Sequence, residues 1–168
     1  NILADKEALI LIAKQEDWRK MEQLRLACEN SNILADKEIL KLIAQQKTWQ
    51  KMKQLRLACE NSNILADKEA LILIAKQEDW QKMYQLRKAC ENQKMLADKD
   101  ALKLIVEQDG WQEMEQCRLA YGNSVKEISD LIVHHMASDE IEQPYDVTFD
   151  EIKSLKKDAY QTQKLILS

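Results

Sequence analysis

Two adjacent histidines and four cysteines are the residues of this 168-residue chain best suited to chemistry. His134 and His135 fall on a segment with helical periodicity, so their side chains diverge by about 100° and cannot grip one ion from the same face. Asp139 follows His135 by four residues, a thin ligand set for a metal. One histidine is expected to pack and the other to meet water. The cysteines are Cys28, Cys59, Cys90 and Cys117. A catalytic thiol needs a base beside it, and a zinc site needs ligands paired at short spacing such as Cys-x-x-Cys. Neither arrangement is written here. Phosphate-cradling loops are excluded as well, because Gly110 and Gly122 are the only glycines. The sequence therefore predicts no catalytic residue, no metal and no cofactor.

Three of the cysteines are spaced 31 residues apart, and that interval organises the chain. Residues 1–31, 32–62, 63–93 and 94–124 align without gaps. Trp18, Trp49, Trp80 and Trp111 share one phase, Met21, Met52, Met83 and Met114 a second, and Arg25, Arg56, Arg87 and Arg118 a third. A period in this range marks a stack of like units, each burying its apolar face on its neighbours. Helices one repeat apart lie on the order of 10 Å from axis to axis. That exceeds the roughly 7 Å between Cα atoms that a disulfide can bridge. The cysteines are thus expected to stay reduced and to pack as small hydrophobes. Reduced thiols without a signal-peptide pattern point to a cytoplasmic location. The absent initiator Met points to a fragment or a processed chain.

The elements that position these residues are helices. With two glycines and one proline, the chain is poor in the residues that tight turns need. In each unit Asp5, Asp36, Asp67 or Asp98 is placed to cap a first helix, whose buried stripe in the first unit is Leu9, Ile12 and Ala13. The phase of Ile10, Lys41, Ile72 and Lys103 alternates aliphatic with charged, so it must reach solvent. Asp17, Thr48, Asp79 and Gly110 are N-cap residues and predict a second helix from each Trp. The Glu-Asn-Ser-Asn run that closes the unit is a turn former. A helical hairpin followed by a loop of about five to eight residues fits the period. The fold class is all-α: an α-solenoid of four 31-residue helix-turn-helix repeats with a C-terminal helical cap. No apolar run approaches the roughly 18 residues of a membrane span.

The fourth unit carries a family likeness. It reads Ala97-Asp98-Lys99-Asp100-Ala101-Leu102-Lys103-Leu104-Ile105-Val106, then Glu107-Gln108-Asp109-Gly110, and later Ala120-Tyr121-Gly122-Asn123. This resembles a shortened ankyrin repeat, with Lys103 exposed between two leucines. The Thr-Pro-Leu-His tetrapeptide is absent, the period is shorter than the usual value of about 33, and three units lack both glycines. Gln15-Glu16-Asp17-Trp18-Arg19-Lys20-Met21 is also similar to the inter-helix turn of tetratricopeptide-type repeats, without their longer period or their Gly/Tyr/Pro signature. The resemblance covers residues 1–124.

Residues 125–168 leave the repeat. Ser124-Val125-Lys126-Glu127 and Thr148-Phe149-Asp150-Glu151 match the S/T-x-x-E capping box and predict helices over 125–137 and 149–166. Between them lies an acidic loop, 138–147, holding Pro144. These helices are read as the terminal cap that an open stack needs.

The four repeats hold 20 basic and 20 acidic residues, and the tail's 5 and 9 account for the net charge of −4. A neutral array lacks the basic stripe that nucleic acid requires, which argues against a one-unit-per-nucleotide RNA reader. The recurring Gln15, Gln23, Arg25 and Asn30 are read as framework, with Arg25-type guanidiniums on Asp5-type carboxylates or on helix-end carbonyls. The tryptophans and methionines are read as wedges packed between hairpins. Phases that vary while the frame stays fixed are where recognition is expected. They are Ile10, Lys41, Ile72 and Lys103 on the first helix, with Arg19, Glu22, Lys53, Tyr84, Glu115 and Lys88 on the second. The function read from this pattern is a non-catalytic protein–protein interaction scaffold, with a protein partner and neither a nucleic-acid nor a membrane partner. The alternative is a structural, self-assembling or engineered repeat protein, a homo-oligomer formed through the exposed N-terminal repeat. Units one and three differ at four positions, which fits recent duplication or deliberate construction.

Overall fold

A computed structural model of the chain describes residues 4–137. The side chains of residues 125–129 and 131–137 lie outside that description, as do the predicted acidic loop at 138–147 and the predicted helix at 149–166. Among the described residues every regular element is a helix, and the helices follow one another in tandem. They are α1 (Lys6–Ala13), α2 (Trp18–Glu29), α3 (Ser31–Ala35), α4 (Lys37–Ala44), α5 (Trp49–Glu60) and α6 (Ser62–Ala66). Then come α7 (Lys68–Ala75), α8 (Trp80–Glu91), α9 (Gln93–Ala97), α10 (Lys99–Val106) and α11 (Trp111–Ala137). The second helices α2, α5 and α8 pack in series, and α1, α4 and α7 each pack on the second helix of their own unit. This is an all-α repeat solenoid.

Helix starts lie where the caps place them. The amide of Ala8 donates to Asp5 Oδ1 at 3.0 Å, and Asp36, Asp67 and Asp98 repeat the bond with Ile39, Ala70 and Ala101. Asp17, Thr48 and Asp79 accept from Arg19, Lys51 and Lys82, so each second helix opens at its Trp. The far end of each first helix is closed by a glutamine: Gln15, Gln46, Gln77 and Gln108 each donate Nε2–H to the carbonyl four residues back.

The junction between units differs from the loop that the turn formers predict. It is a third helix of five residues, α3, α6 or α9. Asn30 ends α2 and at the same time caps α3, accepting from the amides of Asn32 and Ile33 at 3.0 and 3.3 Å. Asn61 and Asn92 do the same. A single extended residue suffices at each joint, Asn30 at φ −83° and Asp36 at φ −100°. The short helix is too small to stand on propensity, and burial of Ile33, Ile64 or Met95 holds it.

In the first unit the predicted stripe is open, with Leu9 and Ala13 exposed and Ile12 half-buried, whereas in the later units two of its three phases are sealed. Leu40, Leu71 and Leu102 are sealed, as are Ile43, Ile74 and Ile105. Ala13 is exposed and its counterparts Ala44 and Ala75 are half-buried, because each is the last residue of its helix. The phase of Ala8, Ile39, Ala70 and Ala101 fills that place. Met52, Met83 and Met114 pack fully, as expected.

The chain divides into two compact units, Asn1–Met114 and Glu115–Ser168. The predicted helix start at 125 is absent, because α11 runs unbroken from Trp111 to Ala137. Ser124 does not cap a new helix; its Oγ donates to the Ala120 carbonyl at 3.0 Å, within the helix. The cause lies two and three residues on. Lys126 and Glu127 stand where Ile33 and Leu34 stand at the first junction, so the apolar residues of a junction helix are missing from the sequence there.

Candidate protein-interaction surface

The recurring polar residues are consumed by the junctions. Arg56 Nε donates to Gln23 Oε1 at 3.0 Å, and Arg87 Nε donates to Gln54 Oε1 at 3.0 Å, each across one repeat boundary. The same arginines close on Glu60 and Glu91 one turn along their own helices. For Arg25, Arg56 and Arg87 a glutamate one turn along the helix stands in place of the expected Asp carboxylate. The Asp5 carboxylate takes Lys37 instead, Asp36 takes Lys68, and Asp67 takes Lys99. Asp5 caps one first helix and Lys37 opens the next, whereas the arginines sit midway along second helices and meet the preceding second helix. The Lys37 bond comes first among the causes that hold the Asp5 carboxyl below its ordinary value, followed by the Ala8 amide. Lys68 does the same for Asp36.

The residues expected to recognise a partner fall on two stripes, one on each helix of the hairpin. On the first helices, Ile10 and Ile72 are 52% and 46% exposed, Lys103 is exposed and Lys41 is half-buried. Lys41 spans a junction to Glu7 at 3.2 Å and also lies 3.8 Å from Glu38. Those carboxylates, Glu7 foremost, raise its pKa. On the second helices Arg19, Glu22 and Lys53 are exposed, while Tyr84 and Lys88 are half-buried. Positions 80, 84, 88 and 91 recur at helical spacing on one side of α8. There the Arg87 guanidinium lies 5.2 Å from the Tyr84 ring centroid and the Lys88 ammonium 5.8 Å, with Lys88 paired to Glu91 at 3.0 Å. Glu115 belongs to the second compact unit and is half-buried.

The tryptophans depart from the expected wedge. Trp18 is 66% exposed and Trp80 40% exposed, with Trp49 and Trp111 half-buried. Each is the first residue of its helix, beside the hairpin connection; the methionine three residues on takes the sealed place in the last three units, and Met21 is half-buried. The ladder therefore belongs to the surface. Recurrence at one phase could not reveal this, because framework and exposed residues both recur.

Cys28, Cys59 and Cys90 are buried thiols outside any disulfide, and Cys117 is a half-buried thiol. Burial pushes the Cys59 and Cys90 thiols up to about 12, although Lys68 and Lys99 pull the other way. Such thiols stay protonated at neutral pH and pack as apolar groups. Among the described residues no cluster of three or more His, Cys, Asp or Glu side chains could hold a metal. The side chains of His134 and His135 lie outside the description. No described helix is long and apolar enough to cross a membrane. No protein-family model, no curated protein and no solved structure matches the chain.

Proposed function

We propose that the chain is a non-catalytic protein-binding scaffold that meets its partner through the side chains of successive repeats. One observation carries this reading. Gln23, Gln54, Arg56, Arg87 and the Asp caps are taken up at caps and junctions, while the varying phases named above are exposed or half-buried. A constant frame with a changing exterior is how a solenoid sets specificity. An interface of standard size buries roughly 800 Å² per partner. The ankyrin-like reading of the unit is supported by a short first helix and by exposed Lys103 between sealed Leu102 and half-buried Leu104. The five-residue helix at each junction speaks against it. Buried cysteines outside any disulfide fit a reducing, cytoplasmic setting.

The test is a nuclease-treated affinity purification from cell lysate, with residues 1–168 as bait and a Lys53→Ala/Tyr84→Ala/Lys103→Ala variant as control. The expected result is a protein recovered by the wild type and lost with the variant. Equal recovery by both would overturn the assignment to these phases. Recovery of the bait alone would move the reading to self-assembly.

A further inference from the structure

Each junction of the array is built on the second helix of the earlier unit. Helices α4 and α5 both pack on α2, α7 and α8 both pack on α5, and α10 packs on α8. At these junctions Leu40, Leu71 and Leu102 are sealed, as are Met52 and Met83. Arg56 and Arg87 are buried there and donate to Gln23 and Gln54 at 3.0 Å. In the first unit the same phases stand open. Leu9 is 38% exposed, Arg25 is exposed, and Ile12 and Met21 are half-buried. This open patch carries the side chains of a junction face. The inner junctions show what covers such a face: a second helix with a glutamine at the phase of Gln23.

Helix α11 carries such a seat. Its residues 111–124 repeat α2, α5 and α8 in frame, and Gln116 falls at the phase of Gln23, Gln54 and Gln85. Those three glutamines are buried, whereas Gln116 is exposed. Leu119 is 45% exposed, although Leu26 and Leu57 at its phase are half-buried. An amide and a large apolar side chain thus lie open on one side of α11, at i and i+3. The two open faces are complementary. The first unit offers a guanidinium beside aliphatic side chains, and α11 offers an amide oxygen beside a leucine. Two first-unit faces brought together would instead gather two arginines, and the glutamine of that unit is already taken by Arg56.

We propose that the open face of the first unit, formed by Leu9, Ile12, Met21 and Arg25, receives a second copy of this chain through the side of α11 that carries Gln116 and Leu119. Arg25 then donates to Gln116 as Arg56 does to Gln23, and Leu9 is covered as Leu40 is. The contact is head-to-tail, since each copy offers one face of each kind. Association therefore continues along a filament unless the rotation between copies closes a ring. The proposal goes beyond the scaffold reading and uses none of Lys53, Tyr84 and Lys103.

The experiment is sedimentation equilibrium of the full chain from micromolar to millimolar concentration, with two single variants checked for helicity by circular dichroism. The weight-average mass of the wild type should rise with concentration beyond that of a dimer. Leu9→Glu spoils the first-unit face with a charge that has no partner, and Gln116→Arg spoils the α11 face by setting an arginine against Arg25. Each variant alone should associate about tenfold more weakly or worse. Mixed in equal amounts, the two should form a dimer and go no further, because each keeps one intact face. That recovery also shows that both are folded. A wild-type mass independent of concentration overturns the proposal. So does continued self-association of Gln116→Arg, which would mean that two first-unit faces pair, and so does a mixture that stays monomeric. The two readings fail separately. A chain that stays monomeric yet loses a protein partner with the Lys53/Tyr84/Lys103 variant keeps the scaffold and removes this contact. Assembly by that variant as by the wild type, with no partner recovered by either, does the reverse.

Discussion

The first and third repeats are nearly the same sequence in different surroundings. Leu9 and Leu71 sit at one phase, yet Leu9 is 38% exposed and Leu71 is sealed. Arg25 and Arg87 share another, and both reach a glutamate one turn along their own helix. Only Arg87 also donates to the glutamine of a preceding repeat, and it is buried while Arg25 is open to water. The four substitutions between these units fall at positions 19, 22, 26 and 31 and touch neither pair. The difference is therefore made by the preceding repeat and not by the local sequence. In a stacked array the contribution of a residue is set at the junction.

The sharpest way to break this comparison is to empty the apolar place in both units. Leu71→Ala removes a sealed side chain from a junction and should cost about 3 kcal/mol, within the usual range for buried leucines. Leu9→Ala should cost under about 1 kcal/mol, because much of that side chain already meets water. Urea unfolding followed by circular dichroism reads both. Equal losses would mean that the junction does not govern burial.

A smaller contrast is expected from the arginines. Arg87→Ala leaves the buried Gln54 without its partner, while Glu91 keeps Lys88, for about 2 kcal/mol. Arg25→Ala removes an exposed pair within one helix, for about 0.5 kcal/mol or less. The same unfolding curves decide it. A loss at Arg25 as large as that at Arg87 would assign the stabilisation to the local Arg–Glu pair and not to the bond across the boundary.

What could be read from the sequence follows the same division between local and junction effects. Helix starts were legible because Asp5, Asp17, Thr48 and Asp79 act on amides two or three residues away. The sealed methionines and leucines were legible from helical spacing. The junction helix was not, since five residues are too few to show a period, although Asn30 followed by Ile33 is a cap with its anchor. The partner of Asp5 was missed although a signal was present. An Asp-Lys doublet opens every unit, and the lysine that binds lies 32 residues on, one more than the period. At Ser124 a good local cap signal did not start a helix, and Lys126 stands in the sequence at the phase of Ile33. The candidate surface was legible in part. Exposure at Ile10, Ile72 and Lys103 followed from their alternation, whereas the exposed tryptophans depend on how the hairpin connection meets its neighbours.

The least intrusive probe of the junctions is acid. Lys68 holds the Asp36 carboxyl below its ordinary value of 3.8. Burial pushes Asp67 up, but Lys99 and the Ala70 amide outweigh it, so its pKa is lowered as well. A carboxyl depressed in the folded state adds stability that is complete above its unfolded value and is lost as pH falls through the lower folded one. The urea midpoint should therefore stay level from about pH 7 to pH 5 and decline below about pH 4. Asparagine caps helices as well as aspartate does, so Asp36→Asn with Asp67→Asn removes the charge and keeps the cap. That variant should lose about 1 kcal/mol or less per pair at neutral pH, as half-exposed ion pairs do. It should also show a shallower acid decline than the wild type. Parallel declines in the two proteins would place the acid sensitivity in other carboxylates and leave the Asp–Lys pairs as features of the junction without a share in its stability.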